Sequence, residues 1–183
     1  VAVEDDVANL INTTVQRHGR LDVLFNNAGG PAPTGSIADV DTEFYDRAMK
    51  VLVGGVMLGM KHAAPVMIEQ GSGSIINNGS IAGHQAGYSS SMIYSAAKAA
   101  VIHLSRCVAM ELGEKGVRVN SVSPGAIATG IFGKALGVET DKAEGTAELL
   151  KQAFETIQPI KRAGLPEDIA RAALFFASDE SSF

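Results

Sequence analysis

The chain has 183 residues, about one domain by the usual size relation. Fifteen Lys and Arg against 20 Asp and Glu leave a net charge of −5, which argues against a grip on nucleic acid. Hydrophobic residues make up 46% and charged residues 19%, a balance that permits a buried core and excludes a disordered chain. The single cysteine, Cys107, rules out an intrachain disulfide framework and a multi-cysteine zinc site, and no metal is expected. No signal peptide is visible, so a reducing, cytoplasmic compartment is the expectation. The longest uncharged apolar run, Val51 to Met60, is too short to span a bilayer, and no membrane partner is expected.

Val3 to His18 reads as a helix, with Glu4, Asp5 and Asp6 at its positive end and Val7, Leu10, Ile11 and Val15 at helical spacing. Leu21 to Asn26 is a short apolar run that ends in Asn27-Ala28-Gly29-Gly30-Pro31, which predicts a buried strand leading into a loop. Asp41 to Glu69 reads as mostly helical, with Asp41 as N-cap and Gly71 as the stop. Gly54, Gly55 and Gly59 inside it predict close contact with another helix or the sheet, since glycine there is disfavoured by about 1 kcal/mol relative to alanine. Ser74 to Asn78 is a second strand, Gly79 to Ser91 a Gly- and Ser-rich loop, and Met92 to Leu112 a strong helix in which Cys107 reads as a buried small hydrophobe. Val117 to Ser123 is a third strand, closed by Pro124-Gly125. The chain then turns more polar, with short helices expected near Ile131 to Leu136 and Glu144 to Thr156, before a final helix from Pro166 to Ser178. Strands alternating with helices predict a parallel sheet covered by helices on both faces, with ligands at the carboxyl ends of the strands.

All three strands end in Gly, Ser, Asn or Pro loops, and chemistry-bearing residues gather there. Tyr94 and Lys98 stand four apart on one helix and so share a face. A nearby ammonium favours phenolate, and a positioned tyrosine can exchange a proton with a carbonyl or alcohol oxygen. Ser80 ends the second strand, where its hydroxyl can hold the same oxygen. Asn26-Asn27-Ala28-Gly29 offers amides and a close backbone approach to a flat ligand. His84, close to Ser80, is a candidate to touch substrate or a solvated loop residue.

The order Asn-Asn-Ala-Gly, a strand ending in Ser80, Tyr94-x-x-x-Lys98, then Arg118-Val-Asn-Ser-Val-Ser-Pro-Gly125 resembles the short-chain dehydrogenase/reductase family over nearly the whole chain. Gly59-Met60-Lys61-His62-Ala63-Ala64, Gly73-Ser74-Ile75-Ile76-Asn77, Ser80-Ile81-Ala82-Gly83 and Pro159 to Ile169 add to the likeness. The resemblance implies a single α/β domain over 1–183, a Rossmann-type doubly wound parallel sheet with N- and C-terminal parts of the fold missing, and a substrate lid over roughly 126–163. It implies hydride transfer between NAD, or NADP, and a carbonyl or secondary alcohol. In that reading Tyr94 is the general acid/base, Ser80 orients the substrate oxygen, and Lys98 lowers the tyrosine pKa and binds the nicotinamide ribose. Asn26, Ala28 and Gly29 line the adenosine side, while Pro124, Gly125, Ile127 and Thr129 hold the nicotinamide end. A homodimer or homotetramer through the 41–69 and 92–112 helices is also implied.

Two departures qualify that picture. The Gly-rich phosphate loop and the residue that selects NAD or NADP are not in the chain, and the common one-domain size predicts about 60 residues more before it and about 25 after. Family members usually carry an Asn in the middle of the long helix, where this chain has Leu52. Leucine cannot hold a relay water, so an active enzyme predicts an interrupted helix near Val51 to Gly55 whose free carbonyls replace it. Leu52 nudges toward a non-catalytic dinucleotide-binding or sensor protein; a carrier-linked 3-oxoacyl reductase is a third possibility.

Overall fold

Glu4, Asp5 and Asp6 put three negative charges at the positive end of helix α1 (Glu4–His18). Gly19, at φ 78°, ends the helix by donating its N–H to the Val15 carbonyl at 2.7 Å. The computed structural model describes residues 1–131, 133, 138–139 and 145–182. Strands β1 (Val23–Asn26), β2 (Gly73–Asn78) and β3 (Val117–Val122) pair in parallel in the order β1-β2-β3. Asn26 lies opposite Asn77, and Asn77 opposite Ser121, so the three carboxyl ends reach one edge together.

The predicted helix over 41–69 is real but not regular. Asp41 caps α2 (Thr42–Met49) by accepting from the Phe44 N–H at 3.0 Å. A π-helical turn, Lys50–Gly54, then leads into α3 (Gly55–Gln70), which carries Pro65 without ending and stops at Gly71. Gly59 meets the sheet as expected, since a methyl there would collide with the Asn26 side chain of β1, whereas one on Gly55 would press on Val1, which precedes α1, at 3.1 Å. Gly54 faces only its own helix, 3.7 Å from the Met49 carbonyl. By length and composition the 42–70 stretch could cross a bilayer, but Leu52, Val56, Met60, Ala63 and Met67 within it are core residues of this domain.

Helix α4 (Met92–Leu112) follows its predicted bounds, and Ser91 caps it by accepting from the Tyr94 N–H at 3.0 Å. Its buried positions are Ala97, Lys98, Val101, Ile102, Ser105 and Leu112. Cys107, two residues past Ser105 and so about 200° round the helix, is exposed, contrary to the expectation of a buried thiol. Among the described residues, helices α5 (Thr146–Ile157) and α6 (Pro166–Ala177) follow β3, and a 3₁₀ turn, Asp179–Ser181, comes after them. Most of the helix expected over Ile131 to Leu136 lies outside the described residues.

The main core joins Ile75, Val117 and Val119 of the sheet to Ile11, Met60, Ala63, Met67, Val101 and Leu112 on one face. Strand alternation sends Ser74 and Arg118 to the other face, where they hold the end of α6. The Ser74 hydroxyl donates to the Phe176 carbonyl at 2.7 Å; Arg118 donates to Phe176 O at 2.8 Å and Ser178 O at 3.2 Å. Helices therefore cover both faces, as predicted. A separate small cluster of Ala128, Phe154 and Ala163 ties α5 to the segment after β3.

Candidate active site

Ser80 leaves β2 in extended backbone, is 9% exposed, and accepts the Ala82 N–H at 3.2 Å, which tightens the chain into a 3₁₀ turn at Ile81–Gly83. Gly83 then rests on α4, where a methyl would come within 2.6 Å of the Lys98 backbone. This contact lays the Ser80 segment along the stripe that carries Tyr94 and Lys98. The Ser80 hydroxyl lies near enough to the Tyr94 phenol to favour its ionised form. Lys98 is only 5% exposed; its Nζ donates to the Asn78 carbonyl at 2.7 Å and lies 5.6 Å from the centre of the Tyr94 ring. The structure thus brings together the three residues singled out for proton chemistry.

The electrostatics differ from the sequence expectation in one respect. Burial holds the Tyr94 phenol above its ordinary value, and the Ser80 hydroxyl only partly offsets this. Burial also pushes the Lys98 ammonium down to about 8. Tyr94 therefore keeps its proton at neutral pH, an arrangement suited to giving a proton to an oxygen placed beside Ser80.

The binding candidates divide into two groups. Asn26 points its side chain into the protein: its Nδ2 donates to Asn77 Oδ1 at 2.8 Å, and Asn77 Nδ2 donates to Ser105 Oγ at 2.9 Å. This chain of hydrogen bonds ties β1 to β2 and α4 and commits one N–H of the Asn26 amide inside the domain. Ala28 and Gly29 are exposed just beyond β1, and a methyl on Gly29 would meet nothing closer than Leu52 at 3.7 Å. The Pro124 carbonyl accepts the Ile81 N–H at 3.0 Å, and Gly125 is exposed, with Gln158 3.5 Å from the place of a methyl. Packing within the chain does not demand glycine at 29 or 125, which leaves room for a ligand's close approach. Ile127 bridges to Gly164, whose carbonyl accepts the Ala128 N–H at 2.9 Å, and half-buried Thr129 follows.

Three contributors were not singled out from the sequence. Asn78 supplies the carbonyl that holds Lys98, and its side-chain Nδ2 donates to Asn27 Oδ1 at 2.7 Å. Asn78 Oδ1 is buried and has no hydrogen-bond partner among the described residues. An orphan acceptor here, between the small residues after β1 and the buried lysine, fits a hydroxyl- and amide-bearing cofactor such as a nicotinamide dinucleotide. Gly164 lets the Pro159–Ile169 loop approach Ile127. The ion pair of Arg162 with Asp168, at 2.6 and 2.8 Å, braces that loop and draws the Asp168 carboxyl down to about 2. Their only sequence signal is the run Pro159 to Ile169.

The interruption expected near Val51 to Gly55 is present as the π-helical turn Lys50–Gly54. Leu52 within it is 1% exposed and clusters with Ala32, Ala48 and Ala97, against Ile93 and Tyr94. A cavity of about 670 Å³ lies at the opposite, amino-terminal edge of the sheet, lined by Arg20, Gly73, Val117 and Arg118, away from this chemistry.

Residues 1–183 match the family model described as enoyl-(acyl carrier protein) reductase. Tropinone reductase-like 1 from Erythroxylum coca is 38% identical over 187 residues, covering 100% of this chain and 65% of that protein. The structure of ElxO with NADP bound superposes with TM-score 0.84 at 31% identity, covering 100% of this chain and 70% of that one. An NAD⁺-bound xylitol dehydrogenase superposes with TM-score 0.84 at 29% identity, covering 100% and 72%. The chain thus spans a little under two thirds of the length of the curated relative.

Proposed function

The chain belongs to the short-chain dehydrogenase/reductase family, and from that premise we propose that the protein is an NAD(P)-dependent oxidoreductase acting on a carbonyl or secondary alcohol. The observation that carries this reading is the convergence of Ser80, Tyr94 and Lys98 at the carboxyl edge of the sheet. When bound, the nicotinamide cofactor supplies or accepts the hydride. In the reducing direction Ser80 donates a hydrogen bond to the carbonyl oxygen and Tyr94 gives it a proton. The phenolate left behind is stabilised by Ser80 and by the Lys98 cation, then takes a proton from solvent. Ala28, Gly29 and the Asn26 backbone would hold the adenosine side of NAD or NADP. Pro124, Gly125, Ile127 and Thr129 would hold the nicotinamide end, with Lys98 at its ribose. The 126–163 segment is proposed as the substrate lid. Incubating the full-length protein with reduced nicotinamide and a panel of ketones tests the reading: cofactor oxidation that depends on one of them supports it.

Leu52 favours a second reading, a non-catalytic dinucleotide-binding or sensor protein, which predicts cofactor binding with no turnover on any member of the panel. A carrier-linked 3-oxoacyl reductase needs a free basic patch for its acidic carrier, but Lys151 pairs with Glu148 and Arg162 with Asp168. We further propose a homodimer or homotetramer that buries the exposed Met57 and Ile68 of α3 beside Leu104 and Val108 of α4. Light scattering on the full-length protein checks it. A cytoplasmic location belongs to the same proposal.

A further inference from the structure

The turn that carries Ser80 is fastened to three successive residues at the end of β3. The Gly79 N–H donates to the Val122 carbonyl at 2.7 Å and the Ile81 N–H donates to the Pro124 carbonyl at 3.0 Å. Between them, His84 Nε2 and Ser123 Oγ share a hydrogen bond at 3.0 Å. The two backbone bonds could form with almost any side chain at those positions. The third depends on the side chains themselves, a ring nitrogen at 84 and a hydroxyl at 123.

Ser123 is fixed from the other side as well: a methyl on Gly79 would come within 2.9 Å of its hydroxyl and 3.0 Å of Ile102. The segment from Gly79 to His84 therefore wraps the Ser123 hydroxyl, with Gly83 seated on α4 beneath it. Ser80 sits inside this loop, with a backbone tie one residue on either side of it and the side-chain tie at the loop's far end. His84 itself is exposed, so a bond there adds little to global stability. Its effect is local, on where the loop holds the Ser80 oxygen.

We propose that His84 is a positioning residue: by gripping Ser123 it holds the Ser80 hydroxyl in register with the Tyr94 phenol and with the Pro124-Gly125 turn. This rests on the reading that Ser80 and Tyr94 handle the substrate oxygen. A small misplacement of an orienting hydroxyl lowers turnover without loosening the fold, and about 10-fold in kcat is the expected scale.

The test uses the full-length protein and a ketone from the panel. His84→Ala and Ser123→Ala should each lower kcat about 10-fold with the melting temperature unchanged, and together no further, since they break one bond. His84→Gln, whose amide reaches the same hydroxyl, should recover most of the loss. In a Ser80→Ala background, His84→Ala should do nothing more. The His84 ring ¹⁵N resonances should also shift in Ser123→Ala in the absence of cofactor. Full kcat in His84→Ala, or losses from His84→Ala and Ser80→Ala that multiply, would overturn the inference while leaving the site reading intact. A Ser80→Ala protein with wild-type turnover would overturn the site reading, and this inference with it.

Discussion

Two long helices meet beside Tyr94, and they are built differently. Helix α4 is regular over 21 residues, and its regularity places Tyr94 and Lys98 on one stripe, with Ser91 capping its start. The opposing stretch, 42–70, breaks its hydrogen-bond ladder at Lys50–Gly54 and presses Leu52 against Ala97 and Tyr94. The regular helix spends stability on a buried ammonium; the irregular one contributes a dry apolar wall. The side chains proposed to transfer the proton therefore sit on the regular element, and the backbone irregularity faces them.

The largest effect should come from the regular helix. Tyr94→Phe keeps the ring and removes the proton, and it should lower kcat by about 10²-fold or more with little change in cofactor affinity. Steady-state kinetics and cofactor titration of the full-length protein separate the two quantities; near-wild-type turnover would show that Tyr94 is not the proton donor.

On the irregular helix, Gly59→Ala drives a methyl into the Asn26 side chain and should destabilise by about 3 kcal/mol by displacing the Asn26–Asn77 bond. A denaturant melt compares it with Gly54→Ala, where a methyl meets only ordinary contacts, 3.7 Å from the Met49 carbonyl. Equal stability of the two variants would show that Gly59 is not the close approach described. Leu52→Asn buries an amide in an apolar cluster and should destabilise by about 2 kcal/mol without raising turnover. A rise in kcat would mean that the apolar wall limits proton exchange at Tyr94.

The smallest effect concerns Lys98. Its folded pKa, about 8, lies below the ordinary 10.5, so between those values the unfolded chain binds more protons and stability rises with pH. Lys98→Met removes this charge burial and should stabilise the fold at pH 7 by about 1 kcal/mol, the lost bond to the Asn78 carbonyl offsetting part of the gain. That advantage should shrink as pH is raised from 8 toward 10.5, which melts at several pH values would record. A pH-independent difference would argue that the ammonium is not desolvated.

Much of this was legible in the sequence because periodicity and chain breakers carry it. Gly19, Asp41, Gly71 and Pro166 mark helix ends that the structure keeps, and Tyr94 and Lys98 meet because α4 has no interruption between them. What escaped depends on long-range approach. The Asn26 amide donates to Asn77, 51 residues away, a tie that no local pattern announces. Asn78 reads as the last residue of a strand, yet its carbonyl is the anchor for Lys98. His84 could be noticed but not assigned, since its partner Ser123 lies 39 residues on and only the sheet brings them together. The direction of the Tyr94 shift was missed because adjacency to a lysine is visible in a sequence and burial is not.

On the function proposed above, hydride moves at this site while Tyr94 supplies the proton. Reduced nicotinamide dinucleotide deuterated at its transferable position, incubated with the full-length protein and an accepted ketone, follows both atoms at once. The product should be an alcohol with deuterium on the carbinol carbon and none on oxygen after exchange with solvent, formed at least about 10² times more slowly by Tyr94→Phe. Tight cofactor binding with no deuterium in any product would contradict it, and would leave a protein that holds the dinucleotide without using it.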